Sequence, residues 1–391
     1  MVVRRAQVFR DKQGINLLTG HGVEEIDPNR QTVAGSTPDG KDFEFPYDRL
    51  LIATGSSAIR PEIPGVDLPG VFVLKDLDDG RKIKNFLNDN PINKAVIIGM
   101  GYIALEMCES LAKLNIAVKM VKPNPVFLPW LEPSMAQVVK NGLESKGVGV
   151  YAGHAVDRIQ TSSEGLQIAG PDLNLTADMV LVGIGVVPNS RIVDTAGLEL
   201  SVAGSIAVDR SLRTSDANIY AAGDCADAYH VVTDAKIWIP LALRANRAGW
   251  AVADNVIGKN VSLDGVAGTS VFRVFDFEVA RTGLNLTEAQ KAGFDPVQNM
   301  IQSSSRAHSY SSSSPHPIWV NMICDKKSGH LLGAQMVGKE GVAHRINAPA
   351  VALHNRMSVA HYSQTDLAYA PPFGPTWDPT LTAANQLLKK L

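Results

Sequence analysis

Apolar positions between residues 93 and 122 follow two different periods. A continuous apolar run at 95–98 and an apolar stretch at 116–121, interrupted only by Lys119, predict two buried strands. Small and apolar residues between the runs recur at helical spacing, which predicts a helix with one face on a sheet. These residues are Ala104, Cys108, Leu111 and Ala112. The pattern therefore predicts a strand–turn–helix–strand unit about a quarter of the way along the chain.

The turn of this unit reads G-x-G-x-x-A, with Gly99, Gly101 and Ala104 at its fixed positions. Gly99 permits a tight turn, Gly101 lets a pyrophosphate approach the backbone, and Ala104 lets the helix pack close to the strand. The helix N-terminus then offers free N–H groups to the phosphates. Glycine-rich turns also occur in ordinary connections, but a strand before and a helix and strand after indicate a nicotinamide-nucleotide site.

A second pair of segments has the character of another dinucleotide site. A buried strand is predicted at 50–53 and is followed by Thr54 and Gly55, while IYAAGDCADA occupies 219–228. The glycine-rich turn that begins such a site does not occur in the sequence. We therefore expect a flavin- and nicotinamide-dependent reductase that lacks its beginning.

The rest of the chain alternates between short elements and turns. Near the start, a helix is expected at 4–12 with Gly14 as its left-handed C-cap. Strands are expected at 15–18, 22–26, 32–34, 43–46, 179–184, 318–324 and 331–337, a helix at 74–90, and a serine-rich loop at 303–314. From about residue 264 the pattern is one of strands and hairpins.

Composition and charge limit the partners and the compartment that can be expected. The chain has 391 residues, 45% hydrophobic and 19% charged, with a net charge of −2. This balance gives no reason to expect a nucleic acid or a membrane surface as partner. Without an apolar run of membrane-spanning length or a signal peptide, we expect a cytoplasmic protein.

The three cysteines, Cys108, Cys225 and Cys324, form no C-x-x-C pair. This usage is typical of a reducing compartment. Cys225 lies beside a cofactor-type motif, where a small packing residue is the more frequent explanation and a reactive thiol the alternative. No spacing of the 9 histidines with cysteines suggests a metal site.

Four motifs in this order resemble those of the flavin-dependent pyridine nucleotide–disulfide oxidoreductases. They are ATG at 53–55, GMGYIALE at 99–106, VGIGVVPN at 182–189 and AAGDCA at 221–226. GVAHRINAPAVALHNRMS at 341–358 and DLAYAPPF at 366–373 look like the branch of NADH oxidase, NADH peroxidase and coenzyme A–disulfide reductase.

The resemblance implies an α/β fold with two doubly wound dinucleotide-binding domains, the FAD one incomplete, and an α+β dimerisation domain. The implied ranges are 1–92 and 205–262 for the FAD domain, 93–204 for the NAD(P) domain and 263–391 for dimerisation. It also implies FAD and NAD(P)H as cofactors, a small-molecule electron acceptor and a homodimer.

Site residues follow from the same resemblance. Near the flavin it implies Ala53, Thr54, Gly55, Gly223 and Asp224, with Leu241 and Ala242 at a helix N-terminus facing the pyrimidine edge. For the nicotinamide nucleotide it implies Gly99, Gly101, Tyr102, Ala104, Glu106, Lys122 and Gly185. Tyr102 and Glu106 would lie where the nicotinamide stacks, and Tyr369 would reach the flavin of the partner subunit; these three are the catalytic candidates.

The sequence departs from the family pattern in three ways. The first strand–turn–helix for FAD and the S-F-x-x-C segment with the redox cysteine are absent. Lys122 stands where users of NAD have a carboxylate, which leads us to expect that NADPH is accepted, with Lys119 on the same strand. Trp377 stands where members that reduce coenzyme A disulfide have a lysine, and Tyr310 aligns only loosely with a substrate-site tyrosine.

These observations leave more than one function open. The first is an enzyme that passes hydride from NAD(P)H through FAD to oxygen, peroxide or a disulfide-type acceptor. The second is a nucleotide-binding dimer that holds no flavin, and the third a cysteine-free ferredoxin or rubredoxin reductase. Because the first FAD unit is missing, we expect flavin to be weakly held or absent.

Overall fold

The computed structural model describes residues 5–309 and 314–391. Its helices are α1 Ala6–Gln13, α2 Leu77–Asp89, α3 Tyr102–Ala112, α4 Pro133–Ser145, α5 Val193–Ala196, α6 Ala242–Val256, α7 Leu286–Lys291, α8 Val342–Arg345, α9 Asn347–His354, α10 Val359–Tyr362 and α11 Pro379–Leu388, with a 3₁₀ turn at Val202–Gly204.

The strands of the first half are β1 Gly22–Asp27, β2 Thr32–Ser36, β3 Asp42–Pro46, β4 Leu50–Ile52, β5 Ser56–Ala58, β6 Val71–Val73, β7 Lys94–Ile98, β8 Ala117–Lys122, β9 Gly149–Ala152, β10 Arg158–Ser162, β11 Gly165–Gly170, β12 Leu173–Ala177, β13 Met179–Val182 and β14 Val186–Pro188. Those of the second half are β15 Ile219–Ala221, β16 Ala228–Tyr229, β17 Lys236–Ile237, β18 Ser270–Val274, β19 Phe277–Gly283, β20 Pro296–Ser304, β21 Pro317–Asp325 and β22 Leu331–Gly338.

The chain folds as two compact units. Unit 1 contains residues up to 56, 188–228 and 236–263, and unit 2 contains 57–187, 229–235 and 264–391. The mixed α/β class agrees with the prediction, whereas the four predicted domain ranges stay a prediction.

Unit 1 is built around a parallel pair of strands. β4 pairs with β15 so that Ile52 lies opposite Ala221, and α6 packs its buried Ala248 and Val252 into the same core. An antiparallel meander of β1, β2 and β3 follows the first helix. The two central strands therefore end side by side, at the same edge.

Unit 2 contains two sheets of five strands. The first is parallel, in the order β6-β13-β7-β8-β9, and its strands β7 and β13 are almost wholly buried. Such continuous burial is expected of a parallel sheet, because both of its faces are covered. The second sheet is antiparallel, in the order β18-β19-β22-β21-β20, and it has a separate core on the face turned to α9 and α11.

Several expectations from the sequence need correction. The stretch 15–18 is not a strand, since Ile15 is 48% exposed and its N–H bonds back to the carbonyl of Phe9 within α1. The predicted serine-rich loop begins later than expected, because Ser303 and Ser304 still pair with β21. Part of that loop, with Tyr310, lies outside the described residues, as does Arg4.

An irregular segment from 363 to 378 is held by one guanidinium. Arg345 donates from Nε to Asp378 at 2.7 Å, and its Nη2 donates to the carbonyls of Phe373 at 2.6 Å and Ser305 at 3.1 Å. Gly341 leaves room for it, since a Cβ there would lie 2.1 Å from Nη1. The planar fork of donors fits this set of acceptors and a lysine ammonium does not.

We expect Arg345→Met to loosen the 363–378 segment. The change leaves Asp378, whose side chain is 16% exposed, without its cation, which costs about 3 kcal/mol of unfolding free energy. Denaturant titration measures the loss, and hydrogen exchange should quicken in this segment. Arg30→Met is the control, because its pair with Glu44 is exposed and should contribute less than about 1 kcal/mol. Equal losses from the two variants would contradict the expectation.

Candidate functional site

The glycine turn of unit 2 is fixed by the strands on either side of it. Gly99 has φ +119°, and a Cβ there would lie 2.1 Å from the carbonyl oxygen of Gly183, directly after β13. The N–H of Gly99 donates to Val121 on β8, and that of Gly183 donates to Ile98 on β7, both at 2.7 Å. Three adjacent strands thus end around a turn that only glycine can make.

Gly101 and Ala104 face opposite surroundings. No atom lies within 4 Å of a Cβ built on Gly101, which is the N-cap of α3 and provides no capping side chain. Ala104 is fully buried, and a Cβ on Gly183 would lie 3.2 Å from that of Ala104. The helix therefore packs closely on the strand ends while its N-terminal N–H groups remain open to an anion.

Gly185 lies at the same edge, three residues after β13. Its φ is +123°, and its carbonyl accepts a hydrogen bond of 3.0 Å from the N–H of Ile59. The structure thus brings Gly99, Gly101, Ala104 and Gly185 together at the carboxyl ends of parallel strands, where open α/β sheets bind ligands.

Lys122 ends β8 at this edge. Its Nζ donates to the carbonyl of Val126 at 2.8 Å, and burial lowers the pKa of its ammonium. Lys119 lies three residues earlier, about 10 Å back along the strand, with its side chain on the opposite face. Lys119 lines a separate pocket with Lys94 at the amino ends of the strands, so it does not belong with Lys122 as we had expected.

The structure places Tyr102 against aromatic side chains of unit 2. Its ring stacks on Phe272 with centroids 5.0 Å apart and meets Trp130 edge-on at 5.5 Å. Ser270 donates to its hydroxyl at 3.0 Å. One turn further along α3, Glu106 is exposed, and partial burial together with the charge of Glu109 raises the pKa of its carboxyl. Their roles at the nicotinamide stay a prediction.

The loop after β4 in unit 1 is held by Asn189. The hydroxyl of Thr54 donates to the Asn189 carbonyl at 2.5 Å, and the Asn189 side-chain amide returns a bond of 2.9 Å to the carbonyl of Thr54. The Asn189 N–H donates to Gly55, which has φ +72°. Ala53 is exposed beside it. Backbone and side chain of one residue thus fix the whole 53–55 turn.

The neighbouring loop after β15 carries Gly223 and Asp224. Gly223 has φ +84°, and the Asp224 carboxylate accepts a hydrogen bond of 2.9 Å from Ser56. Trp238 donates from its indole to the Asp224 carbonyl at 2.8 Å, and Arg244 donates to the Gly223 carbonyl at 2.9 Å. These bonds leave the loop little freedom.

Helix α6 begins beside this loop. Leu241 is its N-cap and provides no capping side chain, and Ala242 is exposed at its first position. A Cβ on Gly223 would lie 3.8 Å from that of Ala245, so the first turn of α6 packs on the glycine. Its open N–H groups can stabilise negative charge on a bound group. The residues present therefore fit the ribityl and pyrimidine parts of a flavin.

Tyr369 lies in the segment that Arg345 holds. Its side chain is 51% exposed, and the nearby Phe373 and Trp377 are 78% and 60% exposed. Sequence reasoning missed Asn189, Arg244 and Arg345, which reach backbone carbonyls distant in sequence. Gly341, four residues before Arg345, leaves room for the guanidinium, but it identifies no partner.

The three cysteines are buried. Burial raises the pKa of Cys108 and of Cys324 to about 12. The thiol of Cys225 lies 3.3 Å from the carbonyl of Ala222, beneath the Gly223 loop, where it acts as a packing residue. Burial and the raised pKa together argue against a reactive thiolate at Cys108 and Cys324. Within the described residues, no cluster of His, Cys, Asp or Glu could hold a metal ion.

Comparison with known proteins decides the family. The sequence model of the pyridine nucleotide-disulphide oxidoreductases matches residues 2–249, and that of their dimerisation domain matches residues 269–379. The chain belongs to this family. Membership confirms the predicted resemblance and the predicted enzyme, an NAD(P)H-dependent oxidoreductase.

Similar members of the family have related names. A CoA-dependent NAD(P)H sulfur oxidoreductase of Pyrococcus furiosus is 32% identical over 97% of this chain and 85% of its own length. An NADH oxidase of Methanocaldococcus jannaschii is 31% identical over 100% of this chain and 87% of its own. The solved NAD-dependent persulfide reductase of A. fulgidus superposes with a TM-score of 0.94 at 35% identity, covering 99% of this chain and 72% of that one.

Along the described ranges of this oxidoreductase, 5–309 and 314–391, no helix has the length and apolar character needed to span a membrane.

Proposed function

We propose that the chain transfers hydride from NAD(P)H through FAD to a small sulfur or oxygen acceptor. One observation carries the proposal. In each unit, adjacent parallel strands end beside a helix N-terminus that has no capping side chain; this N-terminus lies at Gly101 in unit 2 and at Leu241 in unit 1. Two such edges suit two dinucleotides. The names of the sulfur oxidoreductase and of the NADH oxidase support the two classes of acceptor.

The residues have separate roles in this proposal. The open backbone at Gly101 and the first turn of α3 bind the pyrophosphate of NAD(P)H. Asp224 accepts hydrogen bonds from ribityl hydroxyls, because an ionised carboxylate is an acceptor only. The first turn of α6 stabilises negative charge at the pyrimidine edge. Bound FAD supplies the two-electron carrier between nicotinamide and acceptor.

The overall reaction balances for a disulfide acceptor. NAD(P)H gives up a hydride and becomes NAD(P)⁺. The hydride and one proton from solvent together supply the two electrons and two protons that convert the S–S bond of the acceptor into two thiols. Since the three cysteines of this chain are buried, the proposal gives none of them a covalent part in that step.

Titration of the full chain with FAD tests the proposal. We expect saturable binding, followed by anaerobic bleaching of the visible flavin band on addition of NADPH and its return with a persulfide, a disulfide or oxygen. The acceptor that restores the band fastest identifies the class. A chain that binds NAD(P)H but no added FAD would favour the nucleotide-binding dimer without flavin.

Lys122 leads us to propose that NADPH binds at least as tightly as NADH. One of its ammonium donors bonds to Val126, which leaves two for a 2′-phosphate. A charge-assisted bond of this kind contributes about 1.5–3 kcal/mol. Lys122→Glu should therefore weaken NADPH binding about tenfold more than it weakens NADH binding, because only NADPH has a 2′-phosphate to lose this contact. Dissociation constants for both nucleotides decide it, and a tenfold preference of the unaltered chain for NADH would overturn it.

We also propose a homodimer, in which Tyr369 reaches the flavin of the partner subunit. The matched dimerisation domain and the exposed aromatic side chains of Tyr369, Phe373 and Trp377 support it, because aromatic residues are enriched at interfaces. Light scattering at micromolar concentration should give twice the chain mass. A monomer at that concentration would count against it.

A further inference from the structure

The loop from 123 to 132 follows β8 at the carboxyl ends of the parallel strands of unit 2, the edge that carries Gly99 and Gly101, and its backbone is under strain. Leu128, within it, has φ +47°, a left-handed conformation that costs free energy for a bulky residue. Such a conformation persists only where surrounding contacts impose it. Phe127, Leu128 and Leu131 are buried in the core beneath, which supplies part of that constraint.

Three polar side chains outside this loop hold it by its backbone, and one of them, Asn285, donates from Nδ2 to the carbonyl of Trp130 at 3.3 Å. Near its start, Lys122 donates to the carbonyl of Val126 at 2.8 Å. At its end, Gln335 uses both groups of its amide: Nε2 donates to the carbonyl of Trp130 at 2.6 Å, and Oε1 accepts from the N–H of Glu132 at 2.9 Å. Gln335 is 2% exposed, in a strand whose residues are all buried.

Gln335 belongs to a row of polar residues that crosses the central strands of the antiparallel sheet. Arg281 on β19 and Asn321 on β21 lie directly opposite it in register, so the three share one face. The guanidinium of Arg281 lies over the ring of Trp130, 5.6 Å from its centroid. Burying a polar group costs free energy unless it is hydrogen-bonded. Polar residues in this row therefore point to a specific structural role.

Trp130 carries the contact onward to the glycine turn. Its ring meets that of Tyr102 edge-on, with centroids 5.5 Å apart, and Tyr102 is the first residue of α3. The loop is therefore tied at one end to the strand that ends in Lys122 and at the other to the helix N-terminus beside Gly101.

We infer that Gln335 is a positioning residue for the nicotinamide nucleotide. It holds the 123–132 loop on the antiparallel sheet, and through Trp130 and Tyr102 it sets that loop against the phosphate-binding turn. The inference rests on the proposed use of the Gly99–Gly101 turn for NAD(P)H. It assigns to a residue of the dimerisation region a part in nucleotide affinity.

The test compares two buried substitutions in the same sheet. Gln335→Met removes both amide groups while keeping a similar volume, and we expect the dissociation constants of NADPH and NADH to rise about tenfold as the loop shifts. Thr282→Val is the matched control: Thr282 is 1% exposed on β19, and within the described part of the chain its hydroxyl bonds to Thr269 alone, at 2.7 Å. Its dissociation constants should change less than about twofold.

A double variant separates positioning from general loosening. If Gln335 acts through the loop, its effect should shrink to about twofold in a Lys122→Met background, because the two anchors share that loop. Equal effects of Gln335→Met in both backgrounds would overturn the inference. So would a folded Gln335→Met chain that binds both nucleotides as tightly as the unaltered chain.

Hydrogen exchange of the unaltered chain provides a measurement that needs no variant. NADPH should slow the exchange of amides between 123 and 132, and unchanged exchange in the presence of bound NADPH would contradict the inference. Binding of neither nucleotide by the unaltered chain would overturn the proposed function and this inference with it. Binding that Gln335→Met leaves intact overturns the inference alone.

Discussion

The close contact between Gly99 and Gly183 is the constraint on which the candidate site of unit 2 depends, at the carboxyl ends of its parallel strands. The Cα of Gly99 approaches a backbone carbonyl so closely that a Cβ would lie 2.1 Å from its oxygen. Any other residue would push β7 and β13 apart, and the pair of hydrogen bonds that closes the turn over three strands would be lost. The position of α3 follows from this contact, because Ala104 packs against the same Gly183. The open N–H groups at Gly101 are thus placed by the packing of a glycine and an alanine.

Polar side chains that grip backbone atoms provide a second kind of constraint. Asn189, Arg244, Gln335 and Arg345 each bond to carbonyls of an irregular segment, at 2.6–3.1 Å. An irregular segment has no ladder of its own to satisfy its backbone groups, so side chains must do it. These segments also carry the candidate site residues, which explains how exposed loops can present fixed geometry. The strands and helices determine where the edge of each sheet lies, and these polar residues fix the conformation of the loops at that edge.

The sequence predicted the elements where one local pattern sufficed. Apolar runs identified β7 and β13, and the G-x-G-x-x-A spacing identified the turn, because each depends on residues within about ten positions. Lys119 was wrongly grouped with Lys122, since strand geometry separates them by face and by about 10 Å. The stretch 15–18 has the residues of a strand but no partner, and pairing is a property of the fold. Gln335 gave no signal, because its contacts lie about 200 positions away, at Trp130 and Glu132.

Lys122 illustrates how one side chain can have a structural and a chemical part. Its pKa is lowered because the ammonium is partly buried, and its bond to Val126 offsets some of that cost. A carboxylate at this position would meet the Val126 carbonyl as a second acceptor, and the start of the 123–132 loop would lose its anchor. A lysine in place of the carboxylate that users of NAD have at this position therefore changes the loop as well as the local charge. The proposed nucleotide preference would therefore be linked to loop geometry at this residue, because the left-handed Leu128 lies between the anchors at the two ends of the loop.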